Sequence, residues 1–137
     1  MTAQLDLRSF EGATGRLAEA LDALGAEPAN ALIRDAVIQR FEFTYELSHK
    51  MLKRYLDMTA PDPQAVDRMS FQDLIRTGSE QGLLRSDWER WREWRQARGI
   101  TSHAYDERKA LQVVAVIPDF LAEARHLCRQ LRERVRP

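Results

Sequence analysis

The sequence predicts an all-α protein, one antiparallel bundle of about five helices spanning residues 1–137 as a single domain. Three observations predict it. Apolar residues recur at alternating steps of three and four along most of the chain. No segment alternates with the period of two that a half-buried strand requires. The breaks between periodic runs are short, which makes consecutive helices antiparallel neighbours. A chain of 137 residues with ample apolar content closes a sizeable core. No repeat or low-complexity tract interrupts it.

Leu7, Phe10, Thr14, Leu17, Leu21 and Leu24 mark one face of a first helix that Gly25 ends, and Pro28 helps to start the next segment. The longest helix runs from Asn30 to Met58. Ile33, Val37, Phe41, Thr44, Ser48, Leu52 and Tyr55 form its main stripe, and Leu32, Ala36, Phe43, Leu47, Met51 and Leu56 widen it, so it packs against more than one neighbour. Thr59 to Pro63 reads as a loop, because two prolines two residues apart do not continue a helix. Ser70 caps a short helix that reaches Glu80, and Gly82 breaks it. Ser86 and Glu89 read as a capping box for a fourth helix, which continues toward residue 105. The last helical stretch, Asp106 to Arg134, carries Pro118, where a kink or restart is expected.

Composition excludes several function classes. Twenty-one basic residues balance 21 acidic ones, which argues against a generic nucleic-acid coat or a polybasic membrane binder. Eighteen of the basic residues are arginine, a bias that suits bidentate phosphate contacts and also follows from coding bias alone. The first residues carry an acid and an arginine where a signal peptide needs an apolar run, and Val113–Ile117 is too short to span a bilayer. These features predict a cytoplasmic protein with no membrane contact. The lone Cys128 sits in an amphipathic run and reads as a core residue.

Chemically useful groups are densest between Arg98 and Tyr105. An arginine such as Arg98 can hold a phosphate, and a histidine such as His103 can move a proton. On a continuous helix, Trp88, Trp91, Arg95, Arg98, Ser102 and Tyr105 fall on one stripe. His103 does not; it lies about 140° from Arg98. A local break where Gly99 is followed by β-branched Ile100 and Thr101, or a two-fold axis that brings in a second chain, would reunite them. Trp88 and Trp91 among Arg85, Arg90, Arg92, Arg95 and Arg98 suit a stacking-and-phosphate surface, or equally two packed tryptophans with surface ion pairs. The C-terminal arginines read as a solvated helix end. Glu42, Glu46 and His49 share one helical face, and Glu46-x-x-His49 and Glu123-x-x-His126 have the spacing of a carboxylate-bridged di-metal bundle, but charged residues of this kind ordinarily line solvated faces, and no metal site is expected.

The Arg98-x4-His103-x-Tyr105 pattern resembles the motif of HEPN-domain proteins, in particular the HepT-like, or nucleotidyltransferase substrate-binding, family. The match is wider than the motif, with four landmarks in order: Arg40-Phe-Glu-Phe-Thr-Tyr-Glu-Leu47, Gly82-Leu-Leu84, Thr101-Ser-His-Ala-Tyr-Asp-Glu107 and Ile117-Pro-Asp-Phe-Leu121. Together they cover about Phe10 to Leu131. The resemblance implies a helical homodimer with the motif lining a cleft at its axis, and a minimal nucleotidyltransferase partner encoded nearby. It implies metal-independent RNA cleavage, with no cofactor, in which Arg98 stabilises the transition state and His103 acts as general base or acid. Tyr105 would be the residue that the partner modifies with AMP, or an RNA contact. Ser102 and Arg95, on the stripe with Arg98, are candidate supporting residues. Many family members carry Asn or Asp directly after the arginine, where this chain has Gly99. The same resemblance also implies an alternative, a non-catalytic subunit that binds a nucleotide or substrate for the transferase.

Overall fold

The computed structural model describes residues 5–135, and within them every regular element is helical. α1 spans Arg8–Ala26, α2 Ala31–Thr59, α3 Pro63–Asp67, α4 Phe71–Glu80, α5 Trp88–Gly99 and α6 Glu107–Arg134, with a single 3₁₀ turn at Thr101–His103. The all-helical bundle is as the sequence predicts. The additional element is α3, one turn that starts at Pro63, the last residue of the expected loop, and runs into the stretch before Ser70: Asp62 caps it through Gln64 N–H, and Pro63 takes the first position, where a missing N–H costs nothing.

Caps explain the boundaries. The Asn30 side chain accepts from the N–H groups of Leu32 and Ile33 and starts α2. Ser70 accepts from Asp73 N–H at the head of α4, and Asp106 accepts from Arg108 and Lys109 at the head of α6. The capping box at Ser86 is not formed. Asp87 caps α5 instead, accepting from Arg90 N–H, while the backbone N–H of Ser86 is taken by a carboxylate from α6. Gly82 follows α4 at φ +75°, a conformation that a side chain would strain. α1 passes through Gly25 to Ala26, and α6 runs through Pro118 without a restart.

α2 is the central post, with α1 and α6 along its flanks and α5 lying against α6. Phe41 and Tyr45 of α2, Trp91 and Trp94 of α5, and Phe120 of α6 meet in one aromatic cluster. The ring centres of Trp91 and Trp94 are 5.1 Å apart at 87°, and those of Phe41 and Phe120 are 5.2 Å apart at 90°, the edge-to-face geometry that aromatic quadrupoles favour. The polar members of the α2 stripe are satisfied inside the core: Thr44 Oγ1 donates to the Arg40 carbonyl and Ser48 Oγ to that of Tyr45, both at 2.7 Å. Cys128 is buried, and burial pushes its thiol pKa up. No described helix is long and apolar enough to cross a membrane.

Candidate functional site

The aromatic cluster sets the direction of α5, and so delivers the C-terminal end of that helix against the middle of α2. Arg98 lies in the last turn of α5, where a cation is favoured by the helix dipole. Across from it, Glu42 and Glu46 stand one turn apart on α2. Arg98 Nε donates to Glu46 Oε1 at 3.2 Å, and Nη1 lies 3.6 Å from Glu42 Oε2. Nη1 also donates to Thr101 Oγ1 at 3.2 Å, and the same hydroxyl donates to the Arg98 carbonyl at 2.9 Å.

That Thr101 hydroxyl explains why the helix stops. By taking the Arg98 carbonyl, it offers the backbone an alternative to the next α-helical bond. The chain then tightens into the 3₁₀ turn, with His103 N–H donating to Ile100 O at 3.0 Å. The break expected near Gly99 is therefore present, but its cause is the threonine: Gly99 does not have a positive φ, and a Cβ there would meet no atom within 4 Å. The stripe from Trp88 to Tyr105 consequently ends at Arg98 and does not continue through Ser102.

His103 and Tyr105 project from the turn into solvent, their ring centres 6.2 Å apart, and Tyr105 is 87% exposed. Within the chain no hydrogen bond joins His103 to Arg98 among the described residues. Ser102 is exposed and makes no side-chain hydrogen bond there either. Arg95 lies apart from the Arg98 cluster, its guanidinium 5.2 Å above the ring of Phe71. A shallow cleft between α2 and the turn is lined by Asp35, Gln39, Glu42, Thr101 and Tyr105.

Sequence reasoning set Thr101 in the helix break but missed it as a partner of Arg98, and set Glu42 and Glu46 among metal candidates rather than as partners of Arg98. The signal for Thr101 was its place three residues after the arginine, the back-bonding distance of a helix end. Glu46 also bridges to His49, whose Nε2 is 3.3 Å from Glu46 Oε2. Burial lowers the His49 pKa below its ordinary value, against the opposing pull of Glu46.

The second Glu-x-x-His run has a different role, and the expectation of a solvated face fails for its glutamate. Glu123 is 1% exposed. It accepts from the N–H groups of Arg85 and Ser86, both at 2.9 Å, and from Trp91 Nε1 at 3.0 Å. His126 Nε2 lies 3.2 Å from the Gly82 carbonyl. Among the described residues no group of three or more potential ligands is placed to hold a metal ion.

The basic segment resolves toward packing. Trp91 and Trp94 are buried, Trp88 rests partly buried against Phe71, and Arg90 pairs with Glu93 and Asp119. At the C-terminus Arg132 pairs with Glu11, and Arg134 donates to the Gln81 carbonyl at 2.6 Å, so these arginines tie α6 to its neighbours.

Comparison with known proteins places this arrangement. Residues 5–133 match the family described as nucleotidyltransferase substrate binding protein like. A probable ribonuclease HepT from Haemophilus influenzae is 45% identical over 97 residues, 71% of this chain and 66% of that protein, so the alignment spans just under two thirds of the relative. A solved structure from Haemophilus influenzae, described as revealing the fold of a substrate binding domain of a nucleotidyltransferase, superposes with a TM-score of 0.87 at 34% identity, covering 93% of this chain and 99% of that one. The chain thus belongs to the HepT-like, nucleotidyltransferase substrate-binding family.

Proposed function

We propose that this chain is the HEPN subunit of a two-component system with a minimal nucleotidyltransferase, and that it is a metal-independent endoribonuclease toxin which that partner inactivates. The observation that carries the reading is the end of α5. A buried aromatic cluster and Thr101 hold Arg98 at a helix terminus, and the following turn presents His103 and Tyr105 to solvent. The chemistry fits these groups. A fixed cation stabilises charge developing on a phosphodiester, and an imidazole relays the proton of an attacking ribose 2′-OH. Tyr105, exposed and next to His103, is open to a modifying enzyme. A nucleotide attached there would cover the histidine.

Arg98 and His103 are not joined within one protomer, which supports a homodimer with the two motifs facing each other across its axis. Leu32 and Phe43 share an outward face of α2, and Leu111 of α6 is also exposed; these apolar groups suit a subunit contact. The protein acts in this reading as a single-domain, cytoplasmic subunit. The test is incubation of the purified protein with tRNA or mRNA fragments in EDTA. Cleavage that His103→Ala abolishes is expected; absence of cleavage, or cleavage indifferent to that change, overturns the ribonuclease assignment.

A second reading has its own support. Glu42 and Glu46 already neutralise Arg98, and Gly99 supplies no polar side chain beside it. Both features suit a subunit that presents a nucleotide or substrate to the transferase without cutting RNA. Calorimetry with nucleotides, with and without the partner enzyme, separates the two: binding without nuclease activity favours this reading, and nuclease activity without partner-dependent binding removes it.

A further inference from the structure

Arg98 is held through a chain of contacts that begins in the core. The ring of His49 packs edge-on against Tyr45 and Phe71, with centre distances of 5.4 and 5.6 Å. Its Nε2 faces one oxygen of Glu46 at 3.3 Å, and the other oxygen takes Arg98 Nε at 3.2 Å. On the far side of the guanidinium, Thr101 takes Nη1 at 3.2 Å. Two of the three guanidinium nitrogens are thus engaged, and Nη2 makes no hydrogen bond among the described residues.

We propose that Glu46, anchored by His49, is a positioning residue that orients Arg98 so that its free Nη2 meets a substrate phosphate. The proposal rests on Arg98 being the phosphate-binding group of the ribonuclease reading. An arginine side chain has many rotamers, and one on a helix end that faces solvent must lose that freedom before it can act at a defined distance from the reacting atoms. Glu46 removes the freedom in advance, because a carboxylate with both oxygens engaged has a set plane. Glu42, at 3.6 Å from Nη1, contributes charge with a looser geometry.

The obvious opposing role for Glu46 is as a competitor that masks Arg98 from phosphate. The two roles differ in kinetics. Loss of a positioning residue lowers kcat and leaves KM unchanged or lower, since the arginine still attracts RNA. Loss of a competitor leaves or raises kcat and lowers KM.

The experiment compares the full-length protein with Glu46→Ala and Glu46→Gln in steady-state cleavage of an RNA fragment in EDTA. Glu46→Ala is expected to lower kcat about tenfold or more. Glu46→Gln is expected to recover most of it, because its amide oxygen still accepts from Nε and its amide nitrogen can donate to His49. A second readout does not depend on cleavage. The Nε–H resonance of Arg98 should be protected from exchange in the wild type and Glu46→Gln, and lost to exchange in Glu46→Ala. An unchanged or higher kcat in Glu46→Ala, or a protected Nε–H that survives it, overturns the proposal. If no form of the protein cleaves RNA, the ribonuclease reading fails by itself and the Nε–H signal decides the positioning of Arg98.

Discussion

The indole N–H of Trp91 donates to Oε2 of Glu123 at 3.0 Å, inside the bundle, and so ties α5 to α6 beneath the start of the helix that carries Arg98. The same carboxylate takes the backbone N–H groups of Arg85 and Ser86, the last residues of the loop entering α5. One side chain therefore closes three buried or partly buried donors and sets where α5 begins.

Removing that carboxylate leaves donors without partners. Each orphaned group costs about 1–3 kcal/mol, so Glu123→Ala is expected to destabilise the protein by roughly 3 kcal/mol or more. Glu123→Gln keeps one acceptor oxygen but turns the other into a donor, and should cost about 1–3 kcal/mol. Urea unfolding midpoints measure both; a change within 0.5 kcal/mol (about the scale of ordinary surface substitutions) for Glu123→Ala would show that the bonds are dispensable.

Arg98→Ala separates function from stability. The side chain is about one-third exposed, and its ion pairs are of the solvated kind worth about 0–1 kcal/mol. The unfolding midpoint should move little, while RNA cleavage falls about 10²–10³-fold, the scale for losing one preorganised charge-stabilising group. A large loss of stability with normal cleavage by the folded fraction would reverse that assignment.

Gly99 is replaceable. A Cβ there meets nothing within 4 Å, and the backbone lies in an ordinary region. Gly99→Asn should fold normally and gain a few tenths of a kcal/mol from helix propensity. It restores the polar neighbour of the arginine, and the expected result is faster RNA cleavage at unchanged stability. A cleavage rate equal to the wild type would show that the polar neighbour has no part in this protein.

Gly78 is more tightly enclosed. A Cβ would come 3.1 Å from methyl groups of Leu52 and Leu84, both deep in the core. Overpacking of that kind costs about 1–3 kcal/mol, against a helix-propensity gain of about 1 kcal/mol. Gly78→Ala should therefore be destabilising by about 1 kcal/mol, read from the urea midpoint.

His49 gives the stability a pH dependence of known sign. Burial lowers its folded pKa below the ordinary value of 6.5. Between those two pKa values the unfolded chain binds more protons than the folded one, so stability rises with pH across that window and falls as pH drops below 6.5. His49→Gln should flatten the difference between urea midpoints at pH 8 and at about pH 5.5; an undiminished slope would assign it to other groups.

The helices were legible because burial writes a period into the sequence. The α2 stripe from Ile33 through Phe41 to Leu52 needed no tertiary information, nor did the cap Ser70, whose side chain bonds backbone three residues away. The capping box at Ser86 failed for a reason that no local pattern contains: Glu123, 37 residues on, takes the Ser86 N–H. The Arg98 motif was legible as a set of residue types through its resemblance to a family. Its partners were not, since Glu46 lies 52 residues away on another helix.

What the sequence by itself determined is the helical bundle, its main boundaries and the family to which the Arg98, His103 and Tyr105 pattern belongs, because periodicity, caps and motif spacing are local properties. Tertiary structure alone decided that Glu42 and Glu46 face Arg98, that Glu123 is a buried acceptor rather than a solvated acid, and that Thr101 ends α5 while it holds the guanidinium. Those outcomes depend on which helix faces meet. The meeting is dictated by the packing of Phe41, Trp91, Trp94 and Phe120 in three dimensions, which no spacing along the chain encodes.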